Sequence, residues 1–259
     1  MSATTVPNAP VRDASWQRGA PLRVARLGLR AGLLTWAGFW ATVALVVVVL
    51  TTVLVRVGEL PGSTLGLVGA APRWFGFTML VVTVAGGVGP FVAQGLTRRA
   101  VVELAAVVTL ATAVATTVVW VALNLLEHAV FRAQGWPTSV EGHAYTDSGQ
   151  LAPLALEMLL AMLVYGASGA LVAATYYRAG GWWGTLALPL TVGPAILADT
   201  LVSTAWQGMV SDEWQVRLLV DGVAAPVAVR VLVALLLAAA LLAAFRLVLR
   251  GASVRRPAS

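Results

Sequence analysis

Six apolar stretches of about 20 residues each constrain this sequence more than any other feature. A helix of that length crosses the roughly 30 Å of bilayer hydrocarbon and satisfies its own backbone hydrogen bonds there. Segments such as VALLLAAALLAAF are apolar at every position, whereas the strands of a membrane barrel alternate apolar and polar residues. We therefore predict an all-α polytopic membrane protein with six transmembrane helices. The predicted spans cover residues 33–55, 74–94, 101–126, 151–176, 183–205 and 226–249.

Arginine is unevenly distributed among the segments that join these spans. Hydrophobic residues form 59% of the chain and charged residues 11%, and every basic residue is an arginine. Arginine near the end of a span favours the cytoplasmic side. With both termini in the cytoplasm, twelve of the seventeen arginines lie on that side and most acidic residues lie outside. The composition is typical of high-GC bacteria, so we predict a multi-pass protein of the bacterial plasma membrane.

Three shorter segments flank the predicted membrane domain of residues 32–250. Residues 1–16 are polar and contain proline, which predicts a disordered tail. Residues 251–259 form a second cytoplasmic tail. In the basic segment 17–31, Arg23, Arg26 and Arg30 recur at intervals of three and four residues. This segment is either a short helix in the inner membrane interface or a plain basic anchor.

Glu157, Asp199 and Arg230 are charged residues that fall within predicted spans. Each lies about four to six residues from the outer end of its span, which gives all three a depth of about 6–9 Å. We expect an ion pair or a triad in the outer half of the bundle, facing its interior. A substrate or proton pathway is the alternative interpretation of the same residues.

Small residues in the fourth span predict close helix packing. Gly166 and Ala170, and likewise Gly169 and Ala173, are separated by four residues, so each pair shares one helical face. Helices in lipid associate largely through such close backbone contacts. Pro90 and Pro194 lie within predicted spans and predict local kinks.

Several kinds of chemistry lack their usual sequence signals. The absence of lysine excludes a Walker-type phosphate loop, and the absence of cysteine excludes thiolate metal sites. The spacing of His128 and His143 does not predict a metal site, and no G-x-S-x-G or H-E-x-x-H pattern occurs. We expect neither enzymatic activity nor a cofactor. The net charge of +6 reflects membrane topology rather than nucleic-acid binding.

Two segments resemble membrane subunits of type-two ABC transporters and their relatives in high-GC bacteria. The first is GPFVAQGLTRRAVVELAAVV at residues 89–108, and the second is GALVAATYYRAGGWWGTLAL at residues 169–188. The resemblance implies a permease subunit that forms a homo- or heterodimer and works with a separate ATPase. It also implies that the short turn Gly95, Thr97, Arg98 and Arg99 lies near that ATPase, and that Arg23 to Arg30 form an interfacial helix.

Other functions remain open from the sequence. Arg98 and Arg99 also suit a simple topology anchor, since Glu103 follows Arg99 by four residues and can pair with it. A membrane scaffold or regulator that does not transport would use the same helical bundle. A carrier that works alone would require an inverted repeat, with Pro90 and Pro194 in matching positions.

Overall fold

The computed structural model describes residues 14–93, 97–141, 143, 145–202 and 227–250. These residues are predominantly helical, as predicted, and they include one isolated antiparallel bridge. The helices of this part of the chain are α1 (Ala14–Val57), α2 (Thr64–Leu67), α3 (Ala70–Ala93), α4 (Arg98–Gln134), α5 (Leu151–Leu186), α6 (Leu188–Val202) and α7 (Val227–Arg250). Four of them, α1, α4, α5 and α7, contain stretches long and apolar enough to cross a membrane.

Local sequence explains where α4 begins and ends. The Thr97 side chain accepts a hydrogen bond from the Ala100 N–H at 3.2 Å and caps the first turn. The helix ends at Gly135, whose φ of 70° lies in the left-handed region that glycine adopts readily. Between these caps α4 runs for 37 residues, which corresponds to about 55 Å.

Helix α5 forms the centre of the bundle, and α3, α4, α6 and α7 all pack against it. Within its most apolar stretch 83% of the residues are buried, compared with 11% for α1 and 22% for α7. The four small residues predicted to pack, Gly166, Gly169, Ala170 and Ala173, are all buried on α5. A side chain at Gly166 would collide with Thr109 of α4, and one at Gly169 would collide with the Phe77 carbonyl of α3.

The chain reverses direction within the range of α5, between the predicted fourth and fifth spans. Gly180 has a φ of 82°, which breaks the helical path inside the α5 range. On either side of it the contacts are antiparallel: the Tyr176 and Thr185 hydroxyls lie 3.0 Å apart, and Ser168 donates to the Thr191 carbonyl. Helix α6 therefore runs back along α5.

The bundle has two distinct ends. We call α2 and the segment 135–150 together the cap, and the end of the bundle that they cover the cap end. The opposite end, where α3 meets α4 and α5 meets α6, is called the turn end. Arg178 Nη1 donates to the Val248 carbonyl at 3.4 Å, so the last turns of α7 also lie at the turn end.

Some predicted segments lie partly or wholly outside the described residues. These are most of the N-terminal tail, the C-terminal tail, Gly95 and the ends of the last two predicted spans. The basic segment 17–31 is helical and forms part of α1, which runs from Ala14 to Val57 without a break. Pro194 lies inside α6, which remains helical from Leu188 to Val202.

We expect Gly169→Ala to destabilise the bundle by about 1–3 kcal/mol, because the added methyl group would meet backbone atoms of α3 that no side-chain rotation can move. Gly193→Ala on α6 is the matched control, since a Cβ there has no neighbour within 4 Å. Thermal unfolding of both variants in detergent measures the difference. Equal melting temperatures would contradict the close packing of α3 against α5.

Candidate functional site

A buried ion-pair cluster joins three helices near the cap end. Arg73 on α3 donates from Nη1 to Asp199 Oδ1 on α6 and from Nη2 to Glu157 Oε1 on α5, each at 2.6 Å. The exposed fractions of these side chains are 1% for Arg73, 2% for Glu157 and 0% for Asp199. One guanidinium thus holds two carboxylates from different helices, which its planar arrangement of donors permits.

The start of α3 explains how Arg73 enters the bundle. The sequence places Arg73 just outside a span that begins at Trp74, whereas α3 begins at Ala70 and includes Arg73 in its first turn. Three, four and seven residues later come Gly76, Phe77 and Leu80, which lie on the same helical face. Gly76 and Phe77 contact α5, and Leu80 is 1% exposed. Arg73 therefore continues the face of α3 that packs against α5.

His143 from the cap completes the cluster. Its Nδ1 lies 2.7 Å from Glu157 Oε1, and its Nε2 lies 3.3 Å from the Gly66 carbonyl oxygen. The ring fits beside α2 because Gly66 and Gly69 have no side chains; a Cβ at Gly69 would lie 3.2 Å from the His143 ring. Tyr145 packs against the His143 ring, with ring centroids 5.0 Å apart, and burial raises the pKa of the Tyr145 hydroxyl.

The hydrogen bonds of the cluster connect the cap to the bundle. His143 Nδ1 and Arg73 Nη2 both contact Glu157 Oε1, and Arg73 Nη1 donates to Asp199 Oδ1. Tyr165 on α5 donates its hydroxyl to Asp199 Oδ2 at 2.5 Å. A continuous chain of hydrogen bonds therefore runs from Gly66 in the cap to Tyr165 in the bundle.

A second buried carboxylate, Glu127 on α4, holds the start of α2. Its Oε1 accepts from the Thr64 N–H at 2.9 Å, the Thr64 hydroxyl at 2.6 Å and the Leu65 N–H at 2.9 Å. Its Oε2 accepts from the Ser63 hydroxyl. The free N–H groups at the start of a helix need acceptors, and the Glu127 side chain supplies them for Thr64 and Leu65.

His128, the next residue on α4, contacts the other part of the cap. Its Nδ1 lies 3.0 Å from the Ser148 hydroxyl and 3.6 Å from Asp147 Oδ1. The Thr138 hydroxyl, the Gly149 N–H and the His128 side chain lower the pKa of Asp147. Asp147 therefore remains charged until the pH falls below the ordinary pKa of an aspartate. At neutral pH the charged side chain holds the cap through these contacts.

The structure brings together some of the predicted site residues. Glu157 and Asp199 share the Arg73 guanidinium, as a predicted triad would require, but Arg73 rather than Arg230 makes the two described ion pairs. Arg230 lies in the first turn of α7 and is partly buried; its place in the cluster stays a prediction. Of the turn residues, Thr97 caps α4, and Arg99 pairs with Glu103 at 2.8 Å on an exposed face.

Sequence reasoning missed the contributions of Arg73, His143, Tyr165 and Glu127. Tyr165 carries a usable signal, because a hydroxyl amid the small residues of an apolar span needs a partner there. His143 carries none, because its position depends on how the cap folds. Across the residues that the structure describes, no group of three or more His, Cys, Asp or Glu side chains could hold a metal ion.

Comparison with protein-family models, curated proteins and solved structures gives no significant match to this chain. The class that the structure defines is an all-helical protein with four helices long and apolar enough to cross a membrane. Its distinguishing features are the ion-pair cluster and the cap that covers it.

We expect Arg73→Met to lower the free energy of unfolding by about 3–5 kcal/mol, because it leaves two buried carboxylates without their shared cation. Combining it with Glu157→Gln and Asp199→Asn should restore most of the loss, since the buried charges are then removed together. Thermal and denaturant unfolding in detergent would measure both effects.

The control is Arg99→Met, which breaks an exposed ion pair and should change stability by less than about 1 kcal/mol. A triple variant no more stable than Arg73→Met alone would show that shape, rather than charge, determines the effect of Arg73.

Proposed function

We propose that this chain is the membrane-spanning permease subunit of an ABC-type transport system in a bacterial plasma membrane. It works as a homo- or heterodimer with a separate ATPase that supplies the energy. The two segments that resemble type-two ABC permeases support this proposal. So does the absence of a Walker-type phosphate loop, which leaves ATP hydrolysis to a partner.

The observation that carries the proposal is the path of α4. At the turn end it begins at Arg98, beside the exposed Arg99. Near the cap end, Glu127 binds α2 and His128 contacts Ser148. One helix therefore links the turn to both parts of the cap. An ATPase that moved the turn would act on the cap through α4, while the contact of His143 with Glu157 holds the cap to α5.

The proposed topology has six spans, with the turn end in the cytoplasm and the cap outside. Helices α1, α4, α5 and α7 supply four spans, and we assign the other two to α3 and α6. In support, α3 runs for 24 residues. The contacts of Ser168 with Thr191 and of Tyr165 with Asp199 show that α6 runs along α5 toward the cluster.

The absence of cysteine allows a direct test of this topology. We expect Glu141→Cys, in the cap, to react in intact cells with a maleimide that cannot cross the membrane. Ser259→Cys should react only after the membrane is opened. Detergent-treated cells serve as the control for reactivity. Labelling of Ser259→Cys in intact cells would overturn the proposed orientation.

The ATPase partner can be tested by affinity purification of the chain from its native host, followed by mass spectrometry. We expect a nucleotide-binding protein to be recovered with it. Arg98→Gln combined with Arg99→Gln should reduce the recovery at least about tenfold, because two cations at the contact are lost. Arg246→Gln combined with Arg250→Gln removes the same charge from the turn end of α7 and should retain the ATPase.

The outcomes separate the proposal from its alternative, a scaffold or regulator that does not transport. If the Arg98 and Arg99 substitutions leave the recovery of the nucleotide-binding protein unchanged, the turn is not the surface that contacts the ATPase. A complete absence of any nucleotide-binding partner from the wild-type purification would contradict the permease proposal. The alternative draws support from the cluster, whose Arg73, Glu157 and Asp199 side chains are at most 2% exposed and act as an internal clamp.

A further inference from the structure

An apolar cavity of about 300 Å³ lies between α1 and α4 near the cap end. Residues 44–52 of α1 form one wall and residues 123–131 of α4 form the other, while Leu65 of α2 lies between them. The α1 wall is about 12 Å long, close to the thickness of one hydrocarbon leaflet. The volume falls at the lower end of the range for small-molecule sites.

The polar groups in the cavity wall are already satisfied. The Glu127 carboxylate accepts four hydrogen bonds from the start of α2. The Thr51 hydroxyl lies 2.8 Å from both the Val47 carbonyl oxygen and the Thr64 hydroxyl, and the Thr52 hydroxyl donates to the Val48 carbonyl at 2.7 Å. What remains for a ligand is a hydrocarbon surface, which suits an apolar chain rather than a polar solute.

The exposure of the walls shows where the cavity opens. At the back, Leu65 is 2% exposed and Phe131 is 3% exposed, whereas Val48 and Leu126 at the rim are 62% and 63% exposed. Both rim residues belong to helices that are long and apolar enough to span a membrane. The opening therefore lies between two such helices, and it faces hydrocarbon when the chain is in a bilayer.

A cation continues the cavity face of α1 toward the cap end. Val48, Thr52 and Arg56 follow one another at four-residue intervals, so they lie on the same helical face. Arg56 is exposed and lies about 6 Å beyond Thr52 along the helix axis. At that level near the end of a span, an arginine can bind the phosphate of a lipid whose chain lies deeper.

We propose that this cavity binds one acyl chain of a membrane phospholipid, whose phosphate contacts Arg56. Apolar walls, a lateral opening and a cation at the headgroup end together match a phospholipid. The proposal requires only that α1 and α4 lie in a bilayer, so it stands independently of any ATPase partner.

The first test uses the full chain in phosphatidylcholine nanodiscs that contain a phosphatidylcholine with a diazirine on one acyl chain. After irradiation, mass spectrometry maps the adducts. We expect several-fold more adducts per residue on 44–52 and 123–131 than on the exposed Leu235 and Leu236 of α7. An even distribution over all exposed apolar residues would overturn the proposal.

Filling the cavity provides a matched pair of variants. Ala44→Phe places a ring in the cavity and should lower the adduct yield several-fold, while Ala41→Phe, on an exposed part of α1, should leave it unchanged. Ala44→Leu serves the same purpose if the larger ring impairs folding. An unchanged adduct yield in a folded variant with a filled cavity would contradict the site. A dimer whose interface covers residues 44–52 would also contradict it.

The headgroup contact is tested by counting phospholipids retained per chain after exhaustive detergent exchange. Arg56→Gln should lose one phospholipid, whereas Arg132→Gln, which removes an exposed cation from the last turns of α4, should retain it. Inorganic phosphate at millimolar concentration should not displace the retained molecule, because the chain provides part of the affinity. Displacement by phosphate alone, or equal retention in both variants, would refute the contact with Arg56.

Discussion

The contact of Arg73 with Glu157 and Asp199 determines how three helices meet. A charge inside an apolar bundle is costly unless it is paired, so none of these residues can be accommodated alone. The requirement is geometric as well as electrostatic: one guanidinium must reach carboxylates on α5 and α6 at 2.6 Å each. A sliding of α3 or α6 along α5 by a single turn, about 5.4 Å, would break a contact. We infer that the cluster fixes helix register, even where apolar packing could supply comparable stability.

The two buried carboxylate sites, those of Glu157 and Glu127, hold different parts of the protein together. Glu157 lies on α5, whose neighbours approach it closely through Gly166 and Gly169, so the cluster belongs to the tightly packed interior. Glu127 lies on α4 and binds α2 through hydrogen bonds alone. His143 joins the two, because it belongs to the cap and contacts Glu157. A movement of the cap relative to α5 therefore has to break the bond between His143 and Glu157.

The sequence predicts the helical architecture well because its signals are local. Apolar stretches longer than 20 residues require helices in a membrane, and Gly180 marks the reversal that its φ of 82° provides. The depth of Glu157 and Asp199 follows from counting residues, and the structure joins them. The sequence places Arg73 outside the bundle because its apolar pattern begins at Trp74, whereas α3 begins one turn earlier, at Ala70, and includes Arg73. The position of His143 depends on the fold of segment 135–150. This segment has no apolar pattern, so the sequence does not predict that His143 contacts Gly66 and Glu157.

The attachment of α1 explains why a cavity exists beside it. Toward the middle of α1, Phe39 stacks on Phe75 with centroids 4.0 Å apart, and Trp40 packs against Trp120. At the cap end the Thr51 hydroxyl lies 2.8 Å from the Thr64 hydroxyl on α2, which Glu127 holds in place. Between these two attachments the small and β-branched residues of α1 leave space against α4. Lipid hydrocarbon is as apolar as these side chains, so no hydrophobic force closes the gap. A bound acyl chain would supply the missing packing, and lipid would then complete the contact between α1 and α4.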